Sequence, residues 1–189
     1  MTSEPVLRCE KLVAGYARPV VGPLSFDLHP GEVLGLLGSN GAGKSTVLKA
    51  ITGVARVFGG SIRKRPGLRL AHHRQLPVRP HEFPLTGEDL VRLTGAVHRN
   101  PPDEVSRLLH CRMDQLSGGQ FQIVQIWACL GSPADLVLLD EPTNNLDPAT
   151  NAVLSRLIRE ERNGRTLLLV SHDASFIEAV CSRSFPVDR

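Results

Sequence analysis

Short apolar runs at 33–37, 68–72, 136–139 and 166–170 are separated by longer stretches in which apolar residues recur every three to four positions. The first pattern is that of buried strands and the second that of amphipathic helices, so their alternation predicts an α/β fold with a mostly parallel sheet. Residues 44–52 place Val47, Leu48 and Ile51 on one helical face and stop at Gly53. Further helices are expected over 118–130, over 149–162 with Val153, Leu154, Leu157 and Ile158 inward, and around Phe176, Ile177 and Val180 up to Cys181. The start differs. From 6 to 33, Leu7, Leu12, Val20, Val21, Leu24, Phe26 and Leu28 are interrupted by Gly15, Pro19, Gly22, Pro23 and Pro30. That pattern predicts short antiparallel strands and turns. Ser61-Ile62 regains strand character, whereas Pro77, Pro80, Pro84, Pro101 and Pro102 punctuate helical candidates at 87–97 and 103–111. A short helical lobe inserted over about residues 76–130, inside one domain spanning 1–189, is the expected organisation.

Composition narrows the function classes. A chain of 189 residues with 41% hydrophobic content can bury a substantial core without staples. Cys9, Cys111, Cys129 and Cys181 are scattered without a C-x-x-C pair, and the start lacks a charged-then-apolar leader. Reduced thiols in the cytoplasm are expected. The apolar runs fall far short of the roughly 20 residues needed to cross a bilayer, so direct membrane insertion is not expected. A net charge of +3 predicts no nucleic-acid binding, and Arg63-Lys64-Arg65 reads as solvated surface.

Gly38-Ser39-Asn40-Gly41-Ala42-Gly43-Lys44-Ser45, followed by Thr46, matches the phosphate-binding loop pattern in full and lies between a strand and a helix. Its glycines let successive N–H groups surround phosphates, and the helix beginning at Lys44 adds its positive end. Lys44 is placed to reach the outer phosphates, and Ser45 to give an oxygen to Mg²⁺. The expected core is therefore that of a P-loop NTPase. The strand at 136–139 ends in Asp140 and Glu141, adjacent carboxylates that can divide labour. Asp140 would orient the metal and its waters, while Glu141 would polarise the water attacking the γ-phosphate.

Other candidates depend more on placement. His172 follows the 166–170 strand, where a neutral imidazole can hydrogen-bond a γ-phosphate, although a lone histidine is more often structural. Gln75 also follows a strand and can offer a neutral oxygen to Mg²⁺ or the attacking water; a plain loop glutamine fits equally. Tyr16, the single tyrosine, lies in a loop where its ring can stack on adenine or pack over a turn. Leu116-Ser117-Gly118-Gly119-Gln120 is a second glycine-rich helix start, with Ser117 as its cap. It makes a second anion cradle far from the first loop. A two-fold dimer can bring it against the partner's ATP.

Taken together, these residues resemble the nucleotide-binding subunit of ATP-binding cassette (ABC) transporters over nearly the whole chain. The resemblance implies that Tyr16 is the adenine-stacking aromatic, residues 38–46 the Walker A loop, Gln75 the Q-loop and residues 116–120 the signature. It likewise implies Walker B at 136–140, the catalytic glutamate at Glu141, the switch histidine at His172, and the D-loop at Asn144-Asn145-Leu146-Asp147. The region around Gln75, including Phe83-Pro84-Leu85-Thr86, is similar to the zinc and manganese importer branch. The double asparagine is also similar to cassettes that act on ribosomes.

The resemblance implies an ATPase that binds ATP and Mg²⁺, pairs with a second cassette and drives integral membrane permease subunits from the inner membrane face. Metal-ion uptake is the expected cargo class, and a soluble ATPase acting on ribosomes is the alternative. Where the family commonly has an arginine after Gln122 and then an Ala-Arg-Ala segment, this chain has Ile123 and Trp127-Ala128-Cys129, so an altered pairing surface is expected there. His73-Arg74 replaces a common Val-Pro; His72, His73 and His81 are expected on loop surface rather than on a metal. With 17 residues after His172, no regulatory tail is expected.

Overall fold

Alternate residues of the central strands face opposite ways, and that period fixes the layers in the computed structural model, which describes residues 4–74, 84–96, 101–160 and 164–187. The first strands are β1 (Leu7–Gly15), β2 (Pro19–Leu28) and β3 (Val33–Leu37), followed by helix α1 (Lys44–Ile51) and strands β4 (Arg56–Lys64) and β5 (Leu70–His73). Helices α2 (Gly87–Leu93), α3 (Asp103–Leu109) and α4 (Gly118–Gly131) precede β6 (Leu136–Asp140), α5 (Pro148–Glu160), β7 (Thr166–Ser171), α6 (Ala174–Val180) and β8 (Arg183–Pro186). One sheet is antiparallel in the order β2-β1-β4, and the other is parallel in the order β5-β6-β7-β3-β8.

One face of the parallel sheet, carrying Leu34, Leu36, Leu136, Leu138, Leu168 and Val170, packs on the antiparallel sheet and α1. The opposite face, carrying Val33, Val137, Leu139, Leu167 and Leu169, packs on α4 to α6. Burial on both sides explains why these strands are continuous apolar runs in the sequence. A third cluster joins Val105, Leu109, Met113 and Leu116 to Ile123, Val124 and Trp127 of α4 and to Leu157 of α5. Helix α4 thus serves two cores: Ile126 and Leu130 face the sheet, and Trp127 faces the helical lobe.

Three expectations need correction. Ile123 and Trp127 are buried to 5% and 1% exposure, so they fill the helical lobe and offer no side chain to a partner surface. His72 and His73 lie in β5 rather than on a loop, and His73 is buried against α4 because β5 is covered on that side. Strands β4 and β8 extend beyond the sequence reading. The Arg56–Gly60 part of β4 is mostly exposed, and short β8 holds its place by pairing with β3, from Leu34↔Arg183 to Leu37↔Pro186. Among the described residues no helix is long and apolar enough to cross a membrane.

Candidate functional site

Strand order brings the chemistry to one edge. In the parallel sheet β3 lies beside β7 and β7 beside β6, with Leu37 level with Ser171 and Asp140 level with Val170. The loop after β3, the carboxylates ending β6 and the histidine after β7 therefore leave the sheet side by side, at the carboxyl ends of the strands where open α/β sheets bind ligands.

The loop is shaped by its glycines. Gly41 and Gly43 have φ of 82° and 97°, in the region that disfavours side chains, and a Cβ on Gly43 would stand 2.6 Å from Val21 Cβ. Lys44 is 4% exposed, and its ammonium folds back to donate to the carbonyls of Gly38 at 2.8 Å and Ser39 at 3.0 Å. Its Nζ also stands 3.2 Å from Glu141 Oε1. A cleft of about 400 Å³ opens here, lined by Val20, Asn40, Gly41, Gly43, Lys44, Ser45, Thr46, Glu141 and Asn144. A phosphate entering it would meet N–H groups at a helix start and a lysine with three donors.

The carboxylates are held differently. Asp140 accepts from the Ser45 hydroxyl at 2.6 Å, and burial pushes its carboxyl above the usual range, an effect the Ser45 hydrogen bond opposes and the Glu141 charge adds to. Glu141 is buried with φ of 46°, unusual for a residue other than glycine. Its second oxygen, Oε2, lies 2.9 Å from His172 Nδ1, so one carboxylate spans the loop lysine and an exposed histidine. Its backbone is pinned as well: Glu141 N–H donates to Val170 and its carbonyl accepts from Asn144.

Tyr16 is about half exposed, with Lys49 of α1 lying 5.7 Å from its ring centroid. The ring therefore stands beside the helix that starts in the phosphate loop, a setting open to a flat partner. Gln75 lies outside the described residues.

At the second glycine-rich motif, Ser117 caps α4 as expected. Its hydroxyl accepts from Gln120 N–H at 3.3 Å, and Gln120 Oε1 accepts from Ser117 N–H at 2.8 Å, a reciprocal capping box. Ser117, Gly118 and Gln120 are exposed and do not line the phosphate cleft of their own chain. Gly119 has a packing role too: a Cβ there would stand 2.8 Å from Thr150 Cγ2 and 3.2 Å from Leu146 Cδ2. Asp147 is also away from the cleft, since its carboxylate caps α5, accepting from Thr150 N–H at 3.0 Å and from the Thr150 hydroxyl at 2.7 Å. Asn144, which the resemblance places in the D-loop, and Val20, which the sequence pattern placed only in an antiparallel strand, take part in the lining.

Relatives share this architecture. The zinc import ATP-binding protein ZnuC of Jannaschia sp. (strain CCS1) is 35% identical over 94% of this chain and 77% of its own length. Among solved structures, an ATP-binding subunit of an ABC transporter is similar at 27% identity and a TM-score of 0.76, covering 97% of this chain and 86% of that one. The archaeal ribosome recycling factor aABCE1, solved with the ribosomal stalk protein aP1, is similar at 28% identity and a TM-score of 0.82, over 98% of this chain but 37% of that one. The family model described as ABC transporter matches residues 21–144, from beneath the phosphate loop through the capped α4 to the turn after β6, and the chain belongs to that family.

Proposed function

We propose that this chain is the ATP-hydrolysing subunit of a zinc importer, pairing across two ATP molecules and driving membrane permease subunits from the cytoplasmic face. The observation that carries hydrolysis is the Glu141 carboxylate set between Lys44 and His172 at the mouth of the phosphate loop. The cargo rests on relatives named as zinc import ATP-binding proteins, among them that of Cereibacter sphaeroides.

In this reading, residues 38–46 wrap the phosphates with N–H groups, and Lys44 exchanges two loop carbonyls and Glu141 for the β- and γ-phosphates. Tyr16 stacks on adenine. Ser45 and Asp140, two oxygen donors already 2.6 Å apart, fit a hard cation, and they would hold Mg²⁺ together with Gln75. When bound, Mg²⁺ neutralises phosphate charge and lowers the cost of its build-up in the transition state. Glu141 accepts a proton from the water whose oxygen attacks the γ-phosphorus as the bond to the bridging oxygen breaks. His172 holds Glu141 and reports the γ-phosphate. Ser117, Gly118, Gly119 and Gln120 cover the partner's ATP, and Asp147 lies at the pairing face.

The exposure of Ser117 and Gly118, turned away from their own cleft, supports that division between two chains. A soluble cassette acting on ribosomes is the second reading, supported by Asn144-Asn145 and by the high structural similarity to the recycling factor. Transport is preferred, because the curated relatives align over most of both chains. Reconstitution into vesicles of the complex that co-purifies with this chain tests it. Zinc uptake into vesicles should require ATP and vanish with Glu141→Gln; uptake unaffected by that change, or co-sedimentation with ribosomes in place of uptake, would overturn it.

A further inference from the structure

One turn beyond the capping box, α4 makes a contact that the proposed mechanism does not use. The Gln122 side chain donates from Nε2 to the carbonyl of Pro142, the residue immediately after Glu141. Pro142 is buried and Gln122 half-buried, so that carbonyl is poorly placed to find water if the amide is lost. The peptide it holds follows a non-glycine residue at φ of 46°, a conformation that needs support from its surroundings. The same helix grips the other side of the turn, where Gly119 lies against Leu146 and Thr150. One further turn along, Gln125 lines a small cleft together with His73, the last residue of β5. Helix α4 thus presents side-chain amides spaced three residues apart at the ends of two neighbouring strands, and the first of them bonds the turn after β6.

We infer that Gln122 is a positioning residue for hydrolysis, fixing the peptide after Glu141 and making the reach of the Glu141 carboxylate depend on where the signature helix stands. The inference rests on the reading of Glu141 as the group that polarises water. Its chemistry is specific to a neutral amide. A carbonyl requires a donor, so glutamate at this position would face oxygen with oxygen, and methionine would keep the length and packing without donating. Because the contact lies on the helix whose first turn is proposed to cover the partner's ATP, arrival of the partner and alignment of the carboxylate become one event. Ground-state nucleotide binding does not pass through this contact, since Gln122 does not line the phosphate cleft.

The test is steady-state ATP turnover by Gln122→Met, with Gln122→Ala beside it and Gln122→Asn as a shortened donor. Thermal melts first establish that the variants are folded; Gln122→Met preserves the side-chain volume should Gln122→Ala unfold. We expect kcat to fall about tenfold with KM within twofold of wild type, as befits misplacement of a reacting group rather than lost binding. Single-turnover rates in a Glu141→Gln background separate the two claims. If Gln122 acts through the Glu141 carboxylate, adding Gln122→Met there changes the rate by less than twofold. An unchanged kcat in the wild-type background, a loss carried by KM, or an equal loss in both backgrounds overturns the inference. Undiminished turnover by Glu141→Gln alone would instead overturn the reading on which it rests.

Discussion

Lys44 Nζ and Glu141 Oε1 stand 3.2 Å apart, both nearly buried, so the phosphate loop's lysine is neutralised by the carboxylate proposed to activate water. Nucleotide must take Lys44 from that partner while bringing its own negative charge beside Glu141. Removing the carboxylate charge removes both a competitor and a repulsion. Glu141→Gln should therefore bind ATP roughly tenfold more tightly than wild type, corresponding to about 1.4 kcal/mol. Calorimetric titration without divalent cation, where turnover does not interfere, measures this. Weaker binding by the variant would mean that the ion pair organises the loop for nucleotide rather than competing with it.

Asp140 supplies a second case of a site residue set against the resting fold. Burial raises its carboxyl pKa, so the folded chain favours the protonated form more than the unfolded chain does. The sign follows directly: this contribution to stability is present at pH below the ordinary carboxylate value and is lost as pH rises through the raised value. Neutral pH therefore leaves a buried charge that only Ser45 and nearby lysines offset. Asp140→Asn should raise the thermal midpoint of the nucleotide-free protein at pH 7 while abolishing hydrolysis. A lowered midpoint would show that the ionised group's hydrogen bond outweighs its burial.

His73 carries pH dependence of the opposite sense. Burial pushes its pKa down to about 4, against 6.5 for an ordinary histidine, with Gln125 opposing the shift. As pH falls below 6.5 the unfolded chain takes up the proton first, so stability is full above that value and drains away between 6.5 and 4. A single group can contribute on the order of 3 kcal/mol over that window. His72 is lowered to about 4 as well, by burial first and then by Arg74, His73 and Lys49, and adds in the same direction. Urea unfolding from pH 7 to 4.5 should show His73→Gln flattening the loss by about half. An unaltered slope would locate the dependence elsewhere.

Which features were legible in the sequence follows from how local their causes are. The 38–46 loop and the Asp140-Glu141 strand end were readable because a glycine pattern or an apolar run carries its own geometry, and Ser117 was readable as a cap from the residues just after it. The burial of Ile123 and Trp127 was not, since α4 is apolar around much of its circumference and only the neighbouring α3 and α5 determine which faces are covered. Likewise the Gln122 to Pro142 contact spans 20 residues, and nothing in either segment announces the other. His73 looked like a loop residue because β5 is short and ends beside polar Arg74, whereas its burial comes from α4.

Trp127 tests how far the helical lobe depends on this departure from the family pattern. Its ring is among the largest fully buried side chains, packed with Val105, Leu109, Met113, Leu116 and Leu157. Truncation would leave a cavity at the junction of α3, α4 and α5, and Trp127→Ala should cost about 3–5 kcal/mol in unfolding free energy. Arginine should be at least as damaging, because its charge would have no water and no partner there. Ser117→Arg makes the contrast: at an exposed cap it should cost only about 1 kcal/mol and leave ATP binding by the isolated monomer intact while stopping hydrolysis. Equilibrium unfolding and nucleotide titration of the same three variants distinguish the two positions. A mild effect of Trp127→Arg would show that α4 can turn this face outward, and it would restore the 123–129 segment as a pairing surface.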